Sequence, residues 1–237
     1  MASTNDTPAT FEPLPEPTVD RSAAYHALLL ALLELVGAES SNFEEPDNHL
    51  FWRHRARRSI GEGVTRRAKH PTGARGMPDE WFEPLLRAAV YEPDPSFNRQ
   101  LVEPAIAAFG RRRVQVALID YLDTGAPADA AGAARAWYWT SVGVRYLPGT
   151  TTMTPESAAE FEAVSDLRER YRLTALRRFL ADDDLDLRRC ILPGLTLDPQ
   201  MYPSQMRDQV TQAVQIARTS NDHYLRHRVE IQVKRER

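Results

Sequence analysis

From residue 79 onward, apolar positions fall at three- and four-residue spacing in segments that come in pairs, each pair split by a short polar break. Glu80–Tyr91 and Phe97–Phe109 flank Glu92-Pro93-Asp94-Pro95, and Arg112–Leu122 and Ala128–Trp139 flank Thr124-Gly125-Ala126-Pro127. Ser157–Leu180 and Asp184–Leu192 flank Asp182-Asp183, and Pro203–Arg218 and Asp222–Val233 flank Ser220-Asn221. This spacing predicts helices, because residues three and four apart share one helical face. Upstream, residues 21–36 predict a helix that is apolar on most faces and therefore buried, with Asp20 or Ser22 as its cap. Ser40 to Asp47 reads as a break and residues 48–59 as a basic helix. Residues 60–78, with Gly61, Gly63, Pro71, Gly73, Gly76 and Pro78, read as a long basic loop. Residues 1–20 carry Pro8, Pro13, Pro15 and Pro17 and few large apolar side chains, the composition of a disordered lead-in.

The second helix of each pair carries an echo. Asp184-Leu185-Asp186-Leu187-Arg188-Arg189-Cys190-Ile191 returns 38 residues on as Asp222-His223-Tyr224-Leu225-Arg226-His227-Arg228-Val229. Apolar anchors recur four apart as Phe97 and Leu101, Ala133 and Trp137, Leu187 and Ile191, and Leu225 and Val229. Two places after the first anchor stand Arg99, Arg135, Arg189 and His227. Three places before it stand Asp94, Ala130 beside Asp129, Asp184 and Asp222, where an Asp can cap the helix and meet the positive end of its dipole. The anchors are spaced by 36, 54 and 38 residues, the long middle interval holding residues 140–156.

These segments resemble the second helix of a HEAT repeat over roughly residues 80–233, more closely in the last two units than in the first two, where Asn98 follows Phe97 in place of an Arg. The resemblance implies an all-α protein, an α-solenoid of antiparallel helix pairs in which each pair buries its apolar face on the next. It also implies a protein or nucleic acid bound along one face, and it implies no catalytic residues. The expected organisation is a HEAT-like domain over 79–237 with a loop insertion at 140–156, an N-terminal extension over 21–78 packed on it, and the lead-in.

At 237 residues the chain can bury one good core. No apolar run approaches the ~20 residues that span a bilayer. The polar, acidic N-terminus is unlike a signal peptide, and the single cysteine, Cys190, excludes an internal disulfide framework. A cytoplasmic protein with no membrane partner is the expectation. Only Lys69 and Lys234 are lysine among 30 basic residues, the usage of a GC-rich genome such as an actinobacterium's. The net charge of −3 conceals an asymmetry: residues 1–50 hold nine acids against Arg21, and residues 51–77 hold eight bases against Glu62.

Two candidate surfaces follow. Trp137-Tyr138-Trp139 cannot all face one side of a helix, so a partner pocket is expected from Trp137, Trp139, Arg145 and Tyr146, topped by the inserted loop. This supports an adaptor that engages a protein partner through its concave face and the loop. The alternative is polyanion binding by Trp52, Arg53, Arg55, Arg57, Arg58, Arg66, Arg67 and Lys69, with Phe51 and His54 close by, since clustered cations neutralise phosphates and aromatics stack on bases. Some small HEAT-like proteins are DNA glycosylases, a likeness here of architecture, size and basic block only. A third reading is an enzyme using the aromatic cleft. His223 and His227 have the spacing of a metal pair but lack the zinc-protease Glu, and Asp182 to Asp186 lacks the Gly and Glu of a calcium loop. Cys190 reads as a buried thiol. No phosphate loop, dinucleotide fingerprint or hydrolase motif is present, and no cofactor or metal is expected.

Overall fold

A computed structural model describes residues 19–38, 49–69, 77–141 and 143–235; most of the lead-in and the break at 40–47 lie outside them. Among the described residues the protein is all-helical. Eleven α-helices run α1 (Val19–Leu35), α2 (His49–Ala68), α3 (Phe82–Tyr91), α4 (Arg99–Phe109), α5 (Arg111–Thr124), α6 (Pro127–Trp137), α7 (Pro155–Glu162), α8 (Ser165–Ala181), α9 (Leu185–Ile191), α10 (Arg207–Thr219) and α11 (His223–Arg235).

Their starts follow from local chemistry. Pro127 stands in the first turn of α6, where its missing N–H costs nothing. Asp184 and Asp222 act as expected: the first accepts from the Leu187 N–H at 2.8 Å and the second from the Leu225 N–H at 2.9 Å. Asp129 instead pairs with Arg21 of α1 at 2.6 Å.

The helices pack in two rows. α1, α3, α6, α9 and α11 contact one another in sequence along one row, and α2, α4, α5, α8 and α10 along the other. Rungs join α1 to α2, α3 to α4, α5 to α6, α8 to α9 and α10 to α11. One apolar core fills the space between the rows, from Leu29 and Leu32 through Leu86, Leu118 and Phe179 to Val229.

Three sequence expectations are revised. Residues 60–68 are not loop but the second half of α2. Gly61 and Gly63 are contact points there: a β-carbon on Gly61 would lie 2.8 Å from the Gln100 carbonyl oxygen, and one on Gly63 would lie 2.7 Å from Val36. Pro104, four residues after Gln100, has no N–H to give that carbonyl, and Gly61 packs onto it instead. The segment 157–180 is two helices, because Val164 leaves the helical region (φ −125°, ψ 20°) with its side chain buried. Arg112 closes the end of α7 by donating to the Ala163 carbonyl at 3.2 Å, and Arg168 donates to the Phe161 carbonyl. The first anchor pair is out of step with the others. α4 lies in the row opposite α6, α9 and α11, and Phe97 belongs to the turn before it. Gly110 alone joins α4 to α5, at φ 85°, and it keeps both helices in one row. Within the 140–156 insertion, residues 143–154 form an arm between α6 and α7. Leu147 N–H donates to the Thr152 carbonyl and Thr154 N–H to the Arg145 carbonyl, each at 2.8 Å, around a turn at Gly149 (φ 71°).

Candidate ligand cleft

Where the C-terminal end of α6 meets α9 and α11, the side chains leave a cleft of about 720 Å³. Trp137, Tyr138, Trp139, Tyr171 and Tyr224 line it, together with Arg135, Arg189 and Arg228, Cys190 and Gly194. No acidic residue is among its lining residues. The volume lies within the ~300–1,000 Å³ range of small-ligand sites.

The aromatic wall is rigidly built. Trp137 lies parallel to Tyr171 of α8, the ring centres 4.1 Å apart and the planes within 3°. α6 ends in a tight turn over Tyr138–Thr140 that swings the next two rings away from the helix. Trp139 is pinned because its Nε1–H donates to the Pro95 carbonyl at 2.8 Å, with the Arg99 guanidinium 5.2 Å from its ring centre. Tyr138 meets Trp139 edge to face at 4.9 Å and is 69% exposed. The turn is held from below by Arg111, which donates to the Thr140 and Ser141 carbonyls, and by buried Gln115, which donates to both oxygens of Thr140.

The cations differ in their partners. Arg135 reaches Asp186 of α9 at 3.3 Å and the Cys190 sulfur at 3.2 Å. Arg189 pairs with Asp222 in a buried contact. Each joins one helix of the row to the next, so repeat positions legible in the sequence also face the cleft. Arg228 meets no carboxylate among the described residues; its nearest acceptor is the Pro193 carbonyl at 3.5 Å. Its Nε–H is buried without an acceptor there.

Burial pushes the Cys190 thiol up to about 12, against the opposing pull of Arg135, so it stays protonated and unreactive at neutral pH. Burial likewise raises Tyr171, which remains a neutral phenol. For Asp222 burial alone would raise the carboxyl, but the hydrogen bonds from Arg189 and the Leu225 N–H outweigh it and hold the group below the usual carboxylate range.

Of the four residues expected to form a partner pocket, the structure brings Trp137 and Trp139 into the cleft and places Arg145 and Tyr146 on the arm, exposed. The basic block divides. Trp52 is buried against His26, ring centres 4.3 Å apart. Arg57 is buried too, bound to Glu92 at 2.6 Å while Tyr25 donates to the same carboxylate. Trp52 is closed off by burial, and the charge of Arg57 is already met by Glu92. Arg53 is half-buried, donating to Ser22 at 2.5 Å. Arg55, Arg58, Arg66, Arg67 and Lys69 are exposed along α2. Arg58 is held by Glu62 at 2.9 Å, and the Arg67 guanidinium lies 5.3 Å from the Trp81 ring centre. His223 and His227 stack at 6.3 Å, and no group of three potential metal ligands occurs among the described residues.

The sequence reading missed Tyr171, Tyr224 and Arg228. Tyr224 and Arg228 stand four apart on α11, a spacing that marks a shared face, but nothing local says that this face looks toward α6. Comparison of the chain with protein-family models, with curated proteins and with solved structures finds no match.

Proposed function

We propose that this chain is a HEAT-like binding protein that holds a segment of a protein partner in the aromatic–arginine cleft and along the neighbouring arm. The observation that carries the reading is the cleft itself: five aromatic rings and three arginines with no acid among the lining residues. Tyr, Trp and Arg dominate the binding energy of protein interfaces, because they bury large areas and form directional hydrogen bonds. The arm adds exposed Tyr146 and Leu147 beside exposed Arg145.

The solenoid architecture is part of the same reading. Two rows of helices joined by rungs, with Arg135–Asp186 and Arg189–Asp222 bridging successive members of one row, are what stacked repeats produce. The free thiol Cys190 suits a reducing compartment, and the cytoplasm is the proposed setting. No described helix is long and apolar enough to cross a membrane.

A second reading, nucleic-acid binding, draws on a groove of about 760 Å³ between α2 and α4 lined by Arg58, Arg66, Lys69 and Arg99. Glu62 and Glu103 lie in the same groove, holding Arg58 and Arg99, and they blunt its field. The glycosylase-like version of that reading gains no acid in the cleft to act on a base.

The deciding experiment is affinity capture from source lysate with and without nuclease, using the parent chain and Tyr138→Ala. Tyr138 is exposed, so its loss should change stability by no more than ~0.5 kcal/mol. A partner that survives nuclease and is lost with Tyr138→Ala is the expected result. Partners that vanish with nuclease, and bind Tyr138→Ala as well as the parent, would move the assignment to α2.

A further inference from the structure

We propose that the cleft recognises a carboxylate carried on an aromatic residue, and that its occupant is the C-terminal aromatic residue of a partner chain. The occupant rests on the binding-protein reading above; the recognition of an aromatic carboxylate does not.

Charge selects the ligand. Arg135 and Arg189 are each balanced by a carboxylate, Asp186 and Asp222. Arg228 has none among the described residues, and Cys190 and Tyr171 are neutral at physiological pH. The cleft therefore carries about one positive charge that its own side chains do not cancel. A quaternary ammonium, the usual guest of an aromatic cage, is repelled by the uncancelled Arg228 guanidinium. A phosphate monoester brings nearly two charges. A single carboxylate matches.

Hydrogen-bond donors converge on the same answer. No hydrogen bond joins the Tyr171 hydroxyl or the Trp137 indole N–H to a described residue, and neither is a buried orphan, so both stay open to the cleft; the Arg228 guanidinium has only the long contact to Pro193, its Nε–H buried and unpartnered. Three donors that line one cleft with no matching protein acceptor suit an oxyanion. Gly194 keeps the phenol open. A β-carbon there would stand 3.5 Å from the Tyr171 oxygen, and any longer side chain would cover it. The rings of Tyr138 and Trp139 offer flat faces for an apolar body. A chain terminus ending in an aromatic residue supplies ring and carboxylate on one residue.

The test is calorimetric titration of the full chain with N-acetyl-phenylalanine, its primary amide, and an acetylated hexapeptide ending in phenylalanine with a free carboxylate. The acid should bind about tenfold or more tightly than the amide, the scale expected for charge-assisted hydrogen bonds. Arg228→Met should erase that difference while leaving the weak binding of the amide. Tyr171→Phe should narrow it with the ring stack retained. Gly194→Leu should block all three probes in a protein of unchanged thermal midpoint, since the position is exposed and its φ is not positive. The hexapeptide should bind at least tenfold more tightly than the single residue. Equal affinity of acid and amide, or no binding of any probe, would overturn the carboxylate. A preference for the acid with no gain from the peptide would overturn the chain-terminus occupant and leave a site for a small aromatic acid.

Discussion

At Gly132 a β-carbon would lie 1.9 Å from the carbonyl oxygen of Val90. That distance is possible only because α6 gives up a side chain where it crosses α3, with Ala130, Ala131, Ala133 and Ala134 keeping the rest of its face small. In an exposed helix interior, Gly→Ala gains about 1 kcal/mol. Here the sign should reverse, because the added methyl meets backbone that cannot swing aside. Gly132→Ala is expected to destabilise the protein by about 2 kcal/mol or more, within the cost of overpacking a core, measured as a fall in the urea midpoint with an unchanged slope. A neutral or stabilising result would mean that α3 and α6 sit further apart than described. At this scale the sequence was uneven in what it disclosed. Asp184 and Asp222 announced themselves as caps, whereas Gly61 and Gly63 looked like helix breakers. Glycine's weak helix propensity and its permission for close approach leave the same letter in the chain, and only the neighbouring helix decides which applies.

Between elements, the link from α9 to α11 is the most sensitive to pH. Asp222 caps α11 and binds Arg189, and its carboxyl is held below the ordinary value. A depressed native pKa means that the unfolded state binds the proton more readily. The stability supplied by this carboxylate is therefore fully present above the ordinary carboxylate value of about 3.9 and is lost as pH falls through the lower native value. Urea unfolding at pH 6 and at pH 2.5 should show the parent losing more stability on acidification than Asp222→Asn, which has no proton to take up; parallel losses would show the pair to be inert. The helices that carry these contacts were legible because their apolar positions repeat every three to four residues. The helix break at Val164 was not, since no Gly or Pro marks it and the arginine donors that stabilise it come from α5 and from the following turn of α8. The misplaced row of α4 has another origin. An Asp, an apolar anchor and a second anchor four residues later suit any short capped helix, and nothing in that pattern records which way the chain has turned. The cleft was half legible for the same reason: Trp137 and Trp139 stand together in sequence, but Tyr171, Tyr224 and Arg228 join them only through the packing of α6, α8 and α11.

For the whole molecule, the two rows mean that each rung is supported mainly by the rungs beside it. α5 and α6 pack between neighbouring rungs on both sides, while the helices that α10 and α11 chiefly contact are each other, α8 and α9. Opening free energies from native-state hydrogen exchange should accordingly fall from α5–α6 toward α10–α11, as in assemblies stabilised by nearest neighbours. Uniform protection would instead mark a single cooperative unit. The reversal at Gly110 also decides how the protein can be handled. Had every pair kept the order of the first two, α11 would lie in the row opposite α1; because the order flips once, both terminal helices belong to the row that carries most of the cleft. A cross-link or graft on the exposed residues of α1 or α11 therefore attaches to that row. Attachment through the exposed residues of α5, which contributes no side chain to the cleft, engages the other row and leaves the cleft free.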